Sequence, residues 1–122
     1  MTQILEGRLA VERVPRSVLE RRMRRLLAGA GLPQPVGLHL VQLDDGTRYE
    51  IDFAYLERRV AIEVDGHGSH ATRRERAADN VRANALEGAG WKLRRFTFEQ
   101  VMYEPVQVAA TVRAALSSWP TL

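Results

Sequence analysis

The chain has 122 residues, 45% hydrophobic and 27% charged, which is the length of one domain with enough apolar content for a core. It has no cysteine and no apolar run near the ~18 residues of a membrane span, so disulfide frameworks, thiolate chemistry, cysteine-based metal clusters and membrane-spanning helices are excluded. The formal net charge is +3, and all basic residues but Lys92 are arginine, the side chain suited to bidentate phosphate contact. These charges are spread almost evenly along the chain, which permits an anionic partner without demanding one.

Residues 1–16 read as a helical lead-in stopped by Pro15. They are charged throughout and have no uninterrupted apolar h-region, so a cytoplasmic protein is expected. Ser17-Val18-Leu19-Glu20 fits a capping box that opens a helix. Leu19, Met23, Leu26 and Leu27 form its apolar stripe, Arg21, Arg22, Arg24 and Arg25 cover the rest, and Gly29, Gly31 and Pro33 end it. Residues 38–43 alternate as a strand, and Asp44-Asp45-Gly46 makes a turn. Tyr49, Ile51, Phe53 and Tyr55 then alternate with Glu50, Asp52 and Ala54. After a polar break, Val60, Ile62 and Val64 alternate with Ala61, Glu63 and Asp65. Residues 38–65 therefore predict a three-stranded antiparallel meander.

Thr72 and Glu75 make a second capping box, opening a helix to about Glu87 with Ala78, Val81, Ala85 and Ala89 on one face. Trp91 to Phe96 is a short strand, Thr97 to Gln100 a third cap signal, and Pro105 opens a last helix striped by Val108, Val112, Ala115, Leu116 and Trp119. Strand, helix and strand in succession favour a parallel crossover. The expected fold is α/β in the order α-β-β-β-α-β-α, a mixed four-stranded sheet flanked by helices.

Asp52 and Glu63 carry the functional reading. Aspartate is depleted in strands, and both acids fall on the face opposite the apolar rows around them. If an even-length loop sets Asp52 opposite Glu63, their β-carbons lie about 5 Å apart. Two like charges at that spacing call for a hard divalent cation, Mg²⁺ or Mn²⁺, or Ca²⁺ on spacing alone. Asp65 ends the same strand, where sites of parallel strand–helix units collect. His67 and His70 follow at once, and a histidine there can move protons or ligate metal. His39, alone in a strand, reads as structural. Glu20 is either the acid of its capping box or an outer acid reaching the same cation. Arg73, Arg74, Arg76 and Arg82 could meet a phosphate backbone near the acids, or could form a solvated helix face.

The stretches SVLERRMRRLLAGAGLPQP, RYEIDFAYLERRVAIEVDGHGSH and DNVRANALEGAGWKLRRFTFEQV together resemble a bacterial domain-of-unknown-function family. That family is grouped with the very-short-patch-repair endonucleases in the PD-(D/E)XK nuclease superfamily. The resemblance covers residues 17–118 and implies a restriction-endonuclease-like core and a Mg²⁺-dependent phosphodiesterase site. It places the helical acid on Glu20, the strand acid on Asp52, the E-x-D-G element on Glu63, Asp65 and Gly66, the following histidine on His70, and an Asp/Arg pair on Asp79 and Arg82. The wider superfamily carries lysine where this chain has Asp65, while the repair-endonuclease branch relies on histidine.

The expectation is thus an endodeoxyribonuclease. Asp52, Glu63 and Asp65 would hold Mg²⁺, with Mn²⁺ as substitute, and Glu20 would complete the shell. His70 would transfer a proton, and Arg73, Arg74, Arg76 and Arg82 would grip the DNA. Residues 1–16 are a lead-in, 17–118 the endonuclease-like domain and 119–122 a tail, with target selection left to a separate domain or protein. The alternative on the same fold is a DNA-binding module or toxin–antitoxin or defence component that does not cleave.

Overall fold

Pro15 decides where the first helix begins. A computed structural model describes residues 14–65 and 72–117, and in it Pro15 is extended at φ −61° and ψ 144°. Its carbonyl accepts from the Val18 and Leu19 N–H groups at 3.0 and 3.2 Å. Helix α1 therefore spans Arg16–Gly29. The expected Ser17–Glu20 capping box does not form, because Ser17 already lies inside the first turn and Glu20 bonds Arg24 instead. Met23 and Leu27 are fully buried, as their stripe predicts. Gly31, at φ +74°, reverses the chain and lets Leu32 N–H return to the Leu27 carbonyl at 3.0 Å.

Strands β1 (Val36–Gln42), β2 (Arg48–Tyr55) and β3 (Val60–Asp65) form the antiparallel meander. Helix α2 (Arg73–Gly88) then crosses over to β4 (Lys92–Thr97), which lies parallel to β3 and completes the sheet order β1-β2-β3-β4. Helices α3 (Phe98–Tyr103) and α4 (Pro105–Ser117) follow. Both remaining capping boxes form as expected, Thr72 with Glu75 and Thr97 with Gln100. Of the expected lead-in 1–16, Arg16 already belongs to α1, and residues 1–13, the loop with Gly66, His67 and His70, and Trp119 with the rest of the tail lie outside the described residues.

Two apolar clusters lie on the two faces of the sheet. Phe53, Tyr55, Val60, Ile62 and Phe96 pack with Met23 and Leu27 of α1, Val101 of α3 and Val108, Val112 and Ala115 of α4. On the other face Val41, Ile51, Ala54, Ala61 and Trp91 pack with Leu86 of α2. Tyr55 anchors the first layer: its hydroxyl donates to the Pro33 carbonyl at 2.7 Å, and burial pushes its pKa up to about 12.

Two sequence expectations change here. The alternation of β2 breaks at Asp52, since Tyr49 and Ile51 join the α2 layer while Phe53 and Tyr55 join the α1 layer. Leu38 is the residue across β1 from Asp52. Its φ of +47° is strained for a branched side chain, and the ladder skips this pair while keeping register on both sides. The strands rotate together at that point. The expected stripe of α2 holds only at its C-terminal end, where Ala85 and Ala89 are partly buried, Ala89 against the Leu86 cluster, while Ala78 is exposed. Val81 is 63% exposed, and the inward side carries Asp79, Arg82, Ala83 and Leu86. The reason is charge: the sheet beneath the first half of α2 presents Glu63 and Arg95, which pair with those helix residues.

Candidate active site

The β2–β3 ladder pairs Tyr55 with Val60, Ala54 with Ala61 and Phe53 with Ile62. The next step of this register sets Asp52 across from Glu63, through the four-residue, even-length loop 56–59 that the sequence pattern requires. The ladder stops just there. The Asp52 side chain inserts between the strands, and Oδ2 accepts the Val64 N–H at 3.0 Å. The two strands diverge at the two acids.

Asp52 and Glu63 then lean toward different helices, which corrects the expected shared face. Asp52 Oδ1 takes Arg16 Nη1 at 3.1 Å, and Arg16 Nη2 donates to the Asp52 carbonyl at 3.1 Å. The rotation at Leu38 and Asp52 turns this carboxylate toward the α1 layer. Glu63 keeps the regular pleat and points at α2. Arg82 Nη1 donates to its Oε1 at 2.8 Å and Arg82 Nη2 reaches Oε2, while Arg95 Nε stands 3.4 Å from Oε1. Arg82 also donates to the Glu50 carbonyl at 2.7 Å and lies 5.7 Å from the Tyr49 ring centre. Arg95 makes a two-pronged contact with Asp79, one prong being Nη2 to Oδ1 at 2.9 Å.

Arg82, Glu63, Arg95 and Asp79, in the order in which they touch, thus alternate in charge. Hydrogen bonding to Glu63 holds the Arg82 pKa above its ordinary value, opposed by burial. The bond to Asp79 does the same for Arg95, and Arg95 in turn holds the Asp79 carboxyl below the usual range.

Glu20 sits close to this end of the sheet. A β-carbon placed on Gly37 would lie 3.2 Å from Glu20 Oε2, 3.2 Å from Arg24 Nη2 and 3.9 Å from the Asp52 carbonyl oxygen. The missing side chain leaves room for the Glu20–Arg24 pair against β1 at this end of the sheet. Asp65 is exposed at the end of β3, opposite Thr97 of β4. Arg73, Arg74 and Arg76 are exposed in the first turn of α2. Arg82 does not share that surface, because its guanidinium is committed to Glu63 and Glu50. His39 tilts against Trp91 at 5.8 Å between ring centres, the structural role expected of it. His67 and His70 fall outside the described residues.

Sequence reasoning alone misses Arg16 and Arg95. Counting by twos from Trp91 through Leu93 puts Arg95 on the α2 face of β4, but only the parallel register Glu63↔Arg95 reveals its partner. For Arg16 no sequence signal marks a contact 36 residues away.

The donor chemistry of Asp52 and Glu63 suits a hard divalent cation, being oxygen only and doubly negative. In this arrangement every carboxylate oxygen of the pair already accepts an N–H, and among the described residues no three metal-ligating side chains converge. The guanidinium groups of Arg16 and Arg82 supply positive charge beside the two acids.

The family model REase_MTES_1575 matches residues 35–116 of the chain. Two Mycobacterium tuberculosis proteins, Uncharacterized protein MT2308 of strain CDC 1551 / Oshkosh and Uncharacterized protein Rv2248 of a second strain, are each 28% identical over 96 residues. That stretch is 79% of this chain and 35% of theirs, so the chain spans about a third of the length of these relatives. The catalytic domain of the homing endonuclease I-Bth0305I is similar in structure, with a TM-score of 0.62 and 19% identity over 84% of this chain and 96% of that one. The shared feature is the fold, a restriction-endonuclease-like mixed sheet flanked by helices. No helix among the described residues is long and apolar enough to cross a membrane.

Proposed function

Because the chain belongs to the REase_MTES_1575 family, we propose that it is a nuclease domain that hydrolyses phosphodiester bonds in DNA with the help of a divalent cation. The observation that carries this reading is the fork at Asp52 and Glu63. Two acids at facing register positions stand where the β2–β3 ladder ends, and arginines hold each from a different side, Arg16 on Asp52 and Arg82 with Arg95 on Glu63. Acids are depleted within strands, and a purely structural sheet has no need of two at such a point.

In this reading Asp52 and Glu63 would hold Mg²⁺ or Mn²⁺, and Asp65 and Glu20 would complete its shell directly or through water. Such an ion supplies positive charge to a phosphoryl oxygen and acidifies water. His70 stands five positions beyond Asp65 and takes the role of proton-transfer group, as the resemblance to the very-short-patch-repair endonucleases implies. Arg73 and Arg74 sit in the first turn of α2, where the helix dipole disfavours cations, so an anionic partner there relieves a local electrostatic cost. With Arg76 they are assigned to the DNA backbone. Arg82 is reassigned from DNA contact to positioning Glu63. Target selection is assigned to another domain or protein.

The test is nicking of supercoiled plasmid with Mg²⁺ or Mn²⁺, comparing the wild type with Asp52→Asn and Glu63→Gln. Loss of product in both variants supports the assignment; equal rates in all three refute it.

One observation favours a second reading, a DNA-binding module that does not cleave. Each of the four oxygens of the acid pair already accepts an N–H. Calorimetric titration with Mn²⁺ separates the two. Binding that is lost in Asp52→Asn supports the nuclease, and DNA retention without Mn²⁺ binding supports the module.

A further inference from the structure

Helix α1 carries five arginines and one acid. Two of the arginines are accounted for: Arg16 by Asp52, and Arg24 by Glu20, Gln34 and the Pro35 carbonyl. Arg21, Arg22 and Arg25 remain. They are exposed, they fall at i, i+1 and i+4 on the side of α1 away from the buried Met23 and Leu27, and among the described residues they have no hydrogen-bond or ion-pair partner. With Val18 they line a surface concavity of about 280 Å³. Arg21 and Arg25 stand one helical turn apart, about 6 Å of rise. Their charges repel within the helix, and among the described residues no acid pairs with them. Their three charges equal the formal excess of the whole chain, +3.

We propose that this face of α1 is a second phosphate-backbone contact for nucleic acid, separate from the arginines at the start of α2. The two surfaces belong to opposite layers, α1 packing on the Phe53 side of the sheet and α2 on the Leu86 side. The α1 face therefore holds nucleic acid flanking the fork, not the strand within it. Three guanidinium forks in one concavity match phosphate oxygens. The face has only Val18 as an apolar member, so it has nothing to insert into a lipid surface. The inference rests on the nucleic-acid component of the function proposed above and is independent of cleavage.

The experiment is fluorescence anisotropy of a labelled mixed-sequence duplex in EDTA, titrated over a range of salt. Each phosphate neutralised contributes about 0.9 to the slope of log K against log salt. The Arg21→Gln, Arg22→Gln, Arg25→Gln triple variant is expected to lose about 2–3 from that slope. Arg22→Gln alone is expected to lose about 1, which keeps the test decisive should the triple variant fold poorly. Lysine at all three positions is expected to retain the slope, and Arg48→Gln, an exposed arginine at the start of β2, is expected to leave it unchanged. An unchanged slope in the triple and single variants overturns the proposal. So does an equal loss per charge in Arg48→Gln, which signals bulk charge alone. So does retention of the wild type on phosphatidylserine vesicles but not on the duplex. No divalent ion is present, so absence of plasmid nicking leaves this measurement standing, and failure here leaves the nicking result standing.

Discussion

Removing Arg82 should unfold the α2 side of the molecule more readily than its place on a surface helix suggests. The side chains of Arg82 and Glu63 are only 21% and 15% exposed. Arg82→Met keeps the apolar stem and removes two contacts to Glu63, the 2.7 Å bond to the Glu50 carbonyl and the approach to the Tyr49 ring. A hydrogen bond to a charged group contributes about 1.5–3 kcal/mol, and the cation–π contact about 0.5–1 kcal/mol. Arg95, 3.4 Å from Glu63 Oε1, tightens onto the orphaned carboxylate and recovers some of this. The net loss should be about 2–3 kcal/mol, or about 10 °C in Tm for a domain of this size.

Glu63→Leu should cost a similar amount, because it leaves Arg82 half-buried without its partner. Together the changes remove both charges and leave apolar groups of similar volume, so the double variant should be less destabilised than the sum by about 1.5–3 kcal/mol. Urea denaturation of the four proteins, at constant m, gives the cycle. A coupling within ~0.5 kcal/mol of zero would show that the pair is incidental and would remove the reason given for the polar inner face of α2.

Asp79→Asn should flatten the acid limb of stability. The folded pKa of Asp79 is depressed, chiefly by its hydrogen bond to Arg95, so its contribution is present above the unfolded value of ~3.9 and is lost as pH falls through the folded value. Urea midpoints between neutral pH and strong acid, falling less in the variant, check this. Tyr55, with its pKa raised to about 12 by burial, contributes stability that is complete below the unfolded value of ~10 and is lost as pH rises toward 12. Tyr55→Phe should remove that alkaline loss while costing about 1 kcal/mol at neutral pH through the Pro33 bond, read from alkaline and neutral melts. Arg25→Glu should turn one repulsive i,i+4 pair into an attractive one and gain about 0.5–1 kcal/mol while weakening duplex binding. A variant both less stable and equally well bound would contradict the role given to the α1 face. Arg16→Gln should tighten Mn²⁺ binding by uncovering Asp52 Oδ1, measured calorimetrically beside a small drop in Tm.

Local signals in the sequence were reliable where the chain interacts with itself over a few residues. The Thr72–Glu75 and Thr97–Gln100 boxes formed because each threonine stands outside its helix, whereas Ser17 looked identical but Pro15 had already started the turn. Strand pairing was legible through loop parity: four residues between Tyr55 and Val60 bring Asp52 and Glu63 to facing positions. Their divergence was not legible. It depends on Leu38 adopting φ +47° in a different strand, and an uninterrupted Tyr-x-Ile-x-Phe-x-Tyr alternation hides a rotation halfway along it. The N-terminal part of the α2 stripe failed for a related reason. Apolar periodicity finds a buried helical face only when the opposing surface is apolar, and here half of that surface is Glu63 with Arg95.

The two acids are neutralised unequally, and this fixes where the fork can open. Glu63 belongs to a network of two acids and two arginines, with Arg82 further tied to the Glu50 carbonyl and Tyr49. Pulling out Glu63 leaves the Arg82 charge, 21% exposed, without its carboxylate. Asp52 relies on the single guanidinium of Arg16, whose side chain is 38% exposed at the first residue of α1. Its other oxygen is held by a backbone N–H that has no charge to surrender. In the function proposed here, a cation at the fork would replace Arg16 at the cost of one solvent-screened ion pair, far less than breaking into the Glu63 network. That proposal would make Asp52 the entry point and Glu63 the fixed wall. In the same proposal, exchange at Asp52 would free Arg16, at the end of the helix whose outer face carries three arginines with no partner among the described residues, to join them in meeting phosphate.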